Sequence, residues 1–330
     1  MTDFRRYLLE EFVEDYEEGM LTRREALKLM TGVTGSLALA TSILAACAPP
    51  APPATTSAPT IKPTLAPTIA PTNTAVPAAA VTTASTATAQ ATATRAASNG
   101  DTEASDVEFP GEGATLIGYL ARPKGDGPVP AVLVCHENRG LTDHIKDVTR
   151  RVAQAGYVGL AVDLLARQGG TAAIKDATQI PGLLTGVPQE QYVQDFTSGW
   201  RYLQQQSYVK ADSVGMVGFC FGGGVTWRVA IGLPELRAAV PFYGPPPSVD
   251  EVKDIQAVVL AIYAERDQRI TGTAPAMEAA MKANNKVYEK VIYPNTDHAF
   301  HNDTGPRYNA EAAKDAWAKT LAWFDKYLKT

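Results

Sequence analysis

The chain has 330 residues, 45% of them hydrophobic and 20% charged, with 26 glycines, 23 prolines and only three cysteines. A formal net charge of −5 leaves no basic surplus to draw phosphates to the surface, which argues against nucleic acid as a partner. The length suits one or two globular domains, but the first hundred residues do not read as globular and are set aside before fold class is judged.

At the front, Thr22-Arg23-Arg24-Glu25-Ala26-Leu27-Lys28 precedes a weakly hydrophobic run, LMTGVTGSLALATSILAA, that ends at Cys47. The arrangement resembles a twin-arginine export signal, and Leu44-Ala45-Ala46-Cys47 resembles a lipobox, whose thiol is acylated and before which the chain is cut. Residues 1–47 are therefore read as an export signal with lipobox, and Cys47 as a lipidation site. That places the protein outside the cytoplasm, tethered to the outer face of the cytoplasmic membrane; an uncleaved run would itself be the anchor. One stretch does not fit: EEFVEDYEEG is long and acidic for the first section of a leader. Residues 48–105 are almost wholly Pro, Ala, Thr and Ser, with little to bury and many breaks to helix or strand, the composition of a disordered tether.

Residues 106–330 carry apolar runs of strand length at 115–121, 129–135, 157–165, 213–219, 236–243, 257–264 and 288–294. Helical patterns lie between or after them at 142–155, 189–206, 222–232, 273–284 and 309–328. Near-continuous apolar strands alternating with helices predict an α/β fold with a mostly parallel sheet covered on both faces. Trp200, Tyr202, Trp317 and Trp323 fall on two of the helices and read as core aromatics. There is no metal-ligand spacing and no phosphate loop.

The chemistry gathers at GFCFGGG, residues 218–224, which follows the strand SVGMV. Strand, sharp turn and apolar helix form the nucleophile-elbow pattern G-x-S-x-G with Cys220 in place of serine. A free thiol is most often a small buried apolar residue, but glycines on both sides mark a turn too tight for side chains. The elbow would lift Cys220 to the carboxyl edge of the sheet and aim the N–H of Phe221 at a developing oxyanion. In this fold the acid and the histidine follow the nucleophile in that order. Asp267, just after the strand AVVLAIYA, and His298, just after YEKVIYP, both stand at strand ends, where catalytic groups collect. His136 and His144 precede the elbow, His301 lies beyond His298, and Glu265, Asp297 and Asp303 are the competing acids.

Taken together, residues 106–330 resemble the dienelactone hydrolase family, also called carboxymethylenebutenolidases, which are α/β-hydrolases with a Cys-Asp-His triad. The matching pieces, in order, are HENRG around Glu137, VDLLARQ around Arg167, GFCFGG, the ERD around Asp267 and the DHAF around His298. The resemblance implies that Glu137 contacts the resting thiol and helps to activate it, that the N–H of Asn138 is the second oxyanion donor, and that Arg167 is one of two arginines holding a substrate carboxylate. The second arginine would stand four residues after the histidine, where this chain has Asn302, with Arg307 and Arg139 on nearby loops as the residues that could compensate. Cys135 ends a strand expected beside the elbow strand; it reads as a buried strand residue, with a disulfide to Cys220 as the alternative in an oxidising compartment.

The resulting expectation is an exported hydrolase that cleaves a lactone or small carboxylic ester through a thioester at Cys220. It has no large lid domain, which favours small substrates with open access, and no implied cofactor or metal. Its partners are the small-molecule substrate and the membrane. Two other readings stay open: a non-catalytic surface lipoprotein that binds a small carboxylate, and an acyl hydrolase for thioesters or larger esters.

Overall fold

The computed structural model describes residues 3–47, 101–125 and 127–330. The predicted tether lies outside the described residues as far as residue 100. Its last part does not: Thr102–Gly111 is a strand, β1, so folded structure begins before the residue-106 boundary expected from composition. β1 pairs antiparallel with β2, Ala114–Pro123, and places Phe109 in the core.

The remaining strands are β3 (Val129–Cys135), β4 (Val158–Asp163), β5 (Val209–Phe219), β6 (Ala238–Phe242), β7 (Val258–Ala264) and β8 (Tyr288–Tyr293). They complete one eight-stranded sheet in the order β1-β2-β4-β3-β5-β6-β7-β8. β2 meets β4 antiparallel and every later pairing is parallel. The α/β-hydrolase fold and mostly parallel sheet expected from the apolar runs are thus observed. β3, β4, β6 and the C-terminal part of β5 are buried on both faces, which is why they read as continuous apolar runs rather than alternating ones.

Helices cover both faces. α4 (Asp143–Gln154), α5 (Ile180–Thr185), α6 (Gln189–Gln204), α7 (Phe221–Gly232), α8 (Gln268–Thr271), α9 (Ala274–Ala283) and α10 (Ala310–Leu328) follow the strands in chain order. Of the aromatics expected in the core, Trp323 is buried, whereas Trp200, Tyr202 and Trp317 are only partly buried against it.

The front of the chain is folded onto this domain. α1 (Asp3–Glu17), α2 (Arg23–Thr34) and α3 (Leu37–Cys47) belong to the same compact unit as the sheet. α2 starts on a capping box, the Thr22 side chain accepting from the Glu25 N–H while Glu25 reaches back to the Thr22 N–H. The apolar run splits at Gly35, which ends α2 with φ 70°, and no described helix is long and apolar enough to cross a membrane. α1 buries Phe4, Tyr7, Leu8, Leu9 and Phe12, each contributing about 1.5–3 kcal/mol by leaving water. Gly32 of α2 and Gly182 of α5 meet so closely that a Cβ on Gly182 would collide with the Gly32 backbone.

Candidate active site

β5 delivers Cys220 into the turn before α7, where the residue takes φ 57° and ψ −122°. A non-glycine residue there is strained by on the order of 1–3 kcal/mol, and the surroundings hold it: Cys220 N–H donates to Phe242 O (3.1 Å), while Gly223 and Gly224 N–H donate to Cys220 O (2.9 and 3.3 Å). The flanking glycines are required by space. A Cβ on Gly218 would strike the Gly222 carbonyl and one on Gly222 would strike His136 O, so each can only be hydrogen. Phe221 opens α7, and its N–H is one of the first four that a helix leaves without an internal acceptor.

Asp267 and His298 lie beyond the ends of β7 and β8. Asp267 caps α8 through the Ile270 N–H (3.3 Å), which fixes its carboxylate, and His298 Nδ1 donates to its Oδ2 at 2.7 Å. The other imidazole nitrogen is left for the thiol side. Burial opposes charge on both groups, yet each stabilises the other: Asp267 is held below the usual carboxylate range by His298, and His298 is raised well above its ordinary value by Asp267 and Glu11. The competing residues are otherwise engaged. His136 Nδ1 bonds Glu137 O, His144 pairs with Asp303, Glu265 accepts from the Asn295 N–H, and Asp297 pairs with Arg266. His301 is buried among aromatic rings, stacked on Phe219.

The residues carried over from the family pattern fare differently. Glu137 and Asn138 are both buried near the site. Glu137, whose carboxyl burial pushes up, accepts a hydrogen bond from Asn302 Nδ2 at 2.7 Å. Asn302 thus steadies Glu137, and the carboxylate hydrogen-bonded to the thiol is not Glu137 but Glu11. Arg167 also departs from expectation. Its Nη1 pairs with buried Asp195 at 2.7 Å and its Nη2 donates to Glu112 O at 3.0 Å, because a carboxylate buried at that depth needs a counter-charge. A substrate carboxylate would reach Arg167 only by displacing that pair. Cys135 is buried opposite Gly218 in the β3–β5 ladder, and both it and Cys220 are free thiols.

α1 completes the site, and this corrects the expectation of open access. Tyr7 Oη touches Cys220 Sγ and His298 Nε2, each at 3.4 Å. Cys220 Sγ lies 3.5 and 3.6 Å from the two Glu11 oxygens, and Glu11 Oε1 also accepts from Asn138 Nδ2 at 2.8 Å. Phe4 packs on Phe221 and Tyr192 with ring centroids 5.0 and 5.5 Å apart, in space that exists because residue 224 is glycine. The thiol is 3% exposed, and burial, followed by the Glu11 charge, pushes it up. Glu11, Cys220 and His298 present donor atoms within 4.8 Å of one another, a set that could share a metal ion. A metal held there would occupy the thiol and imidazole themselves.

Reading the sequence found the Cys, Asp and His but missed Tyr7, Glu11 and the partner of Asn302. The local signal was the misfit acidic stretch, which holds Glu11 and Glu14; Tyr7, just before it, falls at helical spacing on the same face.

Comparison with known proteins places the domain. Residues 116–328 match the model of the dienelactone hydrolase family. A Methylorubrum extorquens protein named "Putative carboxymethylenebutenolidase" is 36% identical over 236 residues, covering 68% of this chain and 81% of the relative. An Escherichia coli protein of the same name is 34% identical, covering 68% and 87%. The crystal structure titled as a dienelactone hydrolase, likewise "putative", from Klebsiella pneumoniae subsp. pneumoniae superposes with TM-score 0.64 at 36% identity, covering 68% of this chain and 99% of that one. A dienelactone hydrolase-like promiscuous phosphotriesterase from metagenomic libraries gives TM-score 0.62 at 25% identity, covering 69% and 99%.

Proposed function

The chain belongs to the dienelactone hydrolase family and is a hydrolase of the carboxymethylenebutenolidase kind, and from that premise we propose that it cleaves a lactone or small carboxylic ester through a thioester at Cys220. The observation that carries this reading is the strained Cys220 at the head of α7, facing an imidazole that Asp267 holds at 2.7 Å.

His298 takes the thiol proton as the sulfur attacks the carbonyl carbon. The tetrahedral oxyanion is met by the N–H groups of Phe221 and Asn138, and its collapse expels the alkoxide, which His298 protonates. Water, deprotonated by the same imidazole, then attacks the thioester and restores the thiol. Asp267 keeps the imidazole in the tautomer that presents Nε2, and Asn302 holds the carboxyl group of Glu137.

The leader supplies the rest of the reading: export through the twin-arginine motif, cutting before Cys47, and a lipid tether outside the cytoplasmic membrane. It is supported by Arg23-Arg24 and by Leu44-Ala45-Ala46-Cys47. Hydrolysis of small aryl esters by the purified Leu8→Pro protein, in which a proline breaks the helix seated over the thiol, and by the same protein carrying Cys220→Ala tests the chemistry. Turnover should vanish when Cys220 is replaced; turnover equal to that of the Leu8→Pro protein would remove Cys220 from the mechanism.

A further inference from the structure

α1 is acidic, and two of its carboxyl groups, those of Glu14 and Asp15, together with Glu18 just beyond its end, pair with two arginines of the domain. Arg269 Nη2 lies 3.4 Å from Glu14 Oε2, its Nη1 is 3.5 Å from Tyr7 O, and its guanidinium sits 4.6 Å from the centre of the Tyr7 ring. Arg307 Nη2 lies 2.6 Å from Asp15 Oδ1 and 2.6 Å from Glu18 Oε2. Both arginine side chains are largely buried, at 17% and 13% exposure, and the Nε–H of each has no acceptor among the described residues. Arg269 stands beside the chemistry itself, and Arg307 is linked to it through Asp15. Arg269 is 3.9 Å from Asp267, and the charge of His298 is felt by both Glu14 and Asp15.

The geometry points to Arg269 and Arg307 as an anion-binding rim of the active-site cleft, filled in the intact chain by carboxylates of its own N-terminal helix and open to a carboxylate-bearing small molecule once that helix leaves. Seated there, α1 is a stopper. Tyr7 takes the contact with both reacting atoms, Glu11 occupies the amide of Asn138 and the thiol, and Phe4 fills the notch beside Gly224. Arg167, tied to Asp195, does not provide that anion site, and Asn302 is tied to Glu137. The guanidinium groups of Arg269 and Arg307, which do meet carboxylates of the N-terminal segment, come from elsewhere in the fold. The fork of an arginine suits a carboxylate ligand, and an unpaired buried N–H favours any ligand that supplies an acceptor. The catalytic meaning of the rim rests on the reading of Cys220 as nucleophile, but its existence does not.

The test therefore reads the thiol directly, without hydrolysis. Full-length protein and Leu8→Pro, in which a proline breaks the middle of α1, are alkylated with neutral iodoacetamide and anionic iodoacetate, and adducts are assigned to individual cysteines by peptide mass spectrometry. Cys135, buried in β3, reports whether the domain stays folded. Should Cys135 react in Leu8→Pro, Phe4→Ser serves as the opening variant instead. The expected result is Cys220 alkylation by iodoacetamide at least tenfold faster in the opened chain than in wild type, with Cys135 protected in both. Adding Arg269→Gln and Arg307→Gln to the opened chain should lower the iodoacetate rate at least threefold relative to the iodoacetamide rate. Equal Cys220 rates in wild type and opened chain would overturn the stopper, and an unchanged iodoacetate-to-iodoacetamide ratio without the arginines would overturn the rim. Neither result depends on whether Cys220 turns over an ester.

Discussion

At the scale of single residues, the carboxylate beside Cys220 bears on its reactivity. Burial and then the Glu11 charge push the thiol up, and Asp267 followed by Glu11 raises His298 against its own burial, so in the closed chain both groups keep their protons more tightly. The sign for a substitution follows directly: replacing that negative charge by a neutral amide makes both groups release protons at lower pH. Glu11→Gln should therefore move the midpoint of Cys220 alkylation to lower pH, the thiolate being the reactive form. A midpoint unmoved or moved upward would mean that Glu11 does not act on the thiol. Asp267 acts one bond further away. Asp267→Asn in the opened chain should lower kcat/KM on the order of 10²-fold or more while leaving KM far less affected, a split that steady-state kinetics on an aryl ester resolves. The positions of Cys220, Asp267 and His298 were legible because each sits in a short motif at a strand end. What Arg167 and Asn302 touch was not legible, because Asp195 and Glu137 are separated from them by 28 and 165 residues and no local pattern announces the pairing.

Among the elements, the parallel strands were readable and the outermost strand was not. β3 and β4 are apolar almost throughout, since both faces are covered, whereas β1 offers only Val107 and Phe109 against a mostly exposed remainder. A ten-residue strand with so little to bury takes its shape from the β2 ladder rather than from its own side chains. α1 is the same problem enlarged. Its acidity was visible, but the arginines that give the acidity meaning lie more than 250 residues away. The three N-terminal helices nevertheless fit the domain closely enough to be tested by a single methyl group. Gly182→Ala improves α5 as an isolated helix by up to about 1 kcal/mol, yet its Cβ collides with Gly32 of α2. Limited proteolysis of this variant should release fragments of 1–47 several-fold faster than in wild type, with 101–330 left intact. Equal cleavage rates would show that α2 does not rest on α5.

For the whole molecule, the proposed export route and the stopper make one joint demand. Cutting before Cys47 removes α1, α2 and α3 together, so processing and opening of the cleft become a single event. Protein recovered from membranes should begin at a lipidated Cys47 and carry a Cys220 that alkylates as fast as in the opened chain, whereas Cys47→Ala should keep residues 1–46 and a slow Cys220. Mass spectrometry of the N-terminal peptide alongside the Cys220 adduct reads both; a mature chain retaining Met1 with a fast-reacting Cys220 would uncouple them. The relatives are consistent with a domain that stands without the N-terminal helices, since the Klebsiella pneumoniae structure is covered almost end to end by 68% of this chain. The proposed thioester at Cys220 is the central claim. The most direct measurement is rapid quenching of the Leu8→Pro chain with an acetyl aryl ester, followed by peptide mass spectrometry. An acetyl group on Cys220 that forms before steady turnover and is absent from Cys220→Ala is the predicted result. An acetyl group on another side chain, or ester turnover with Cys220 never modified although iodoacetamide reaches it, would contradict it.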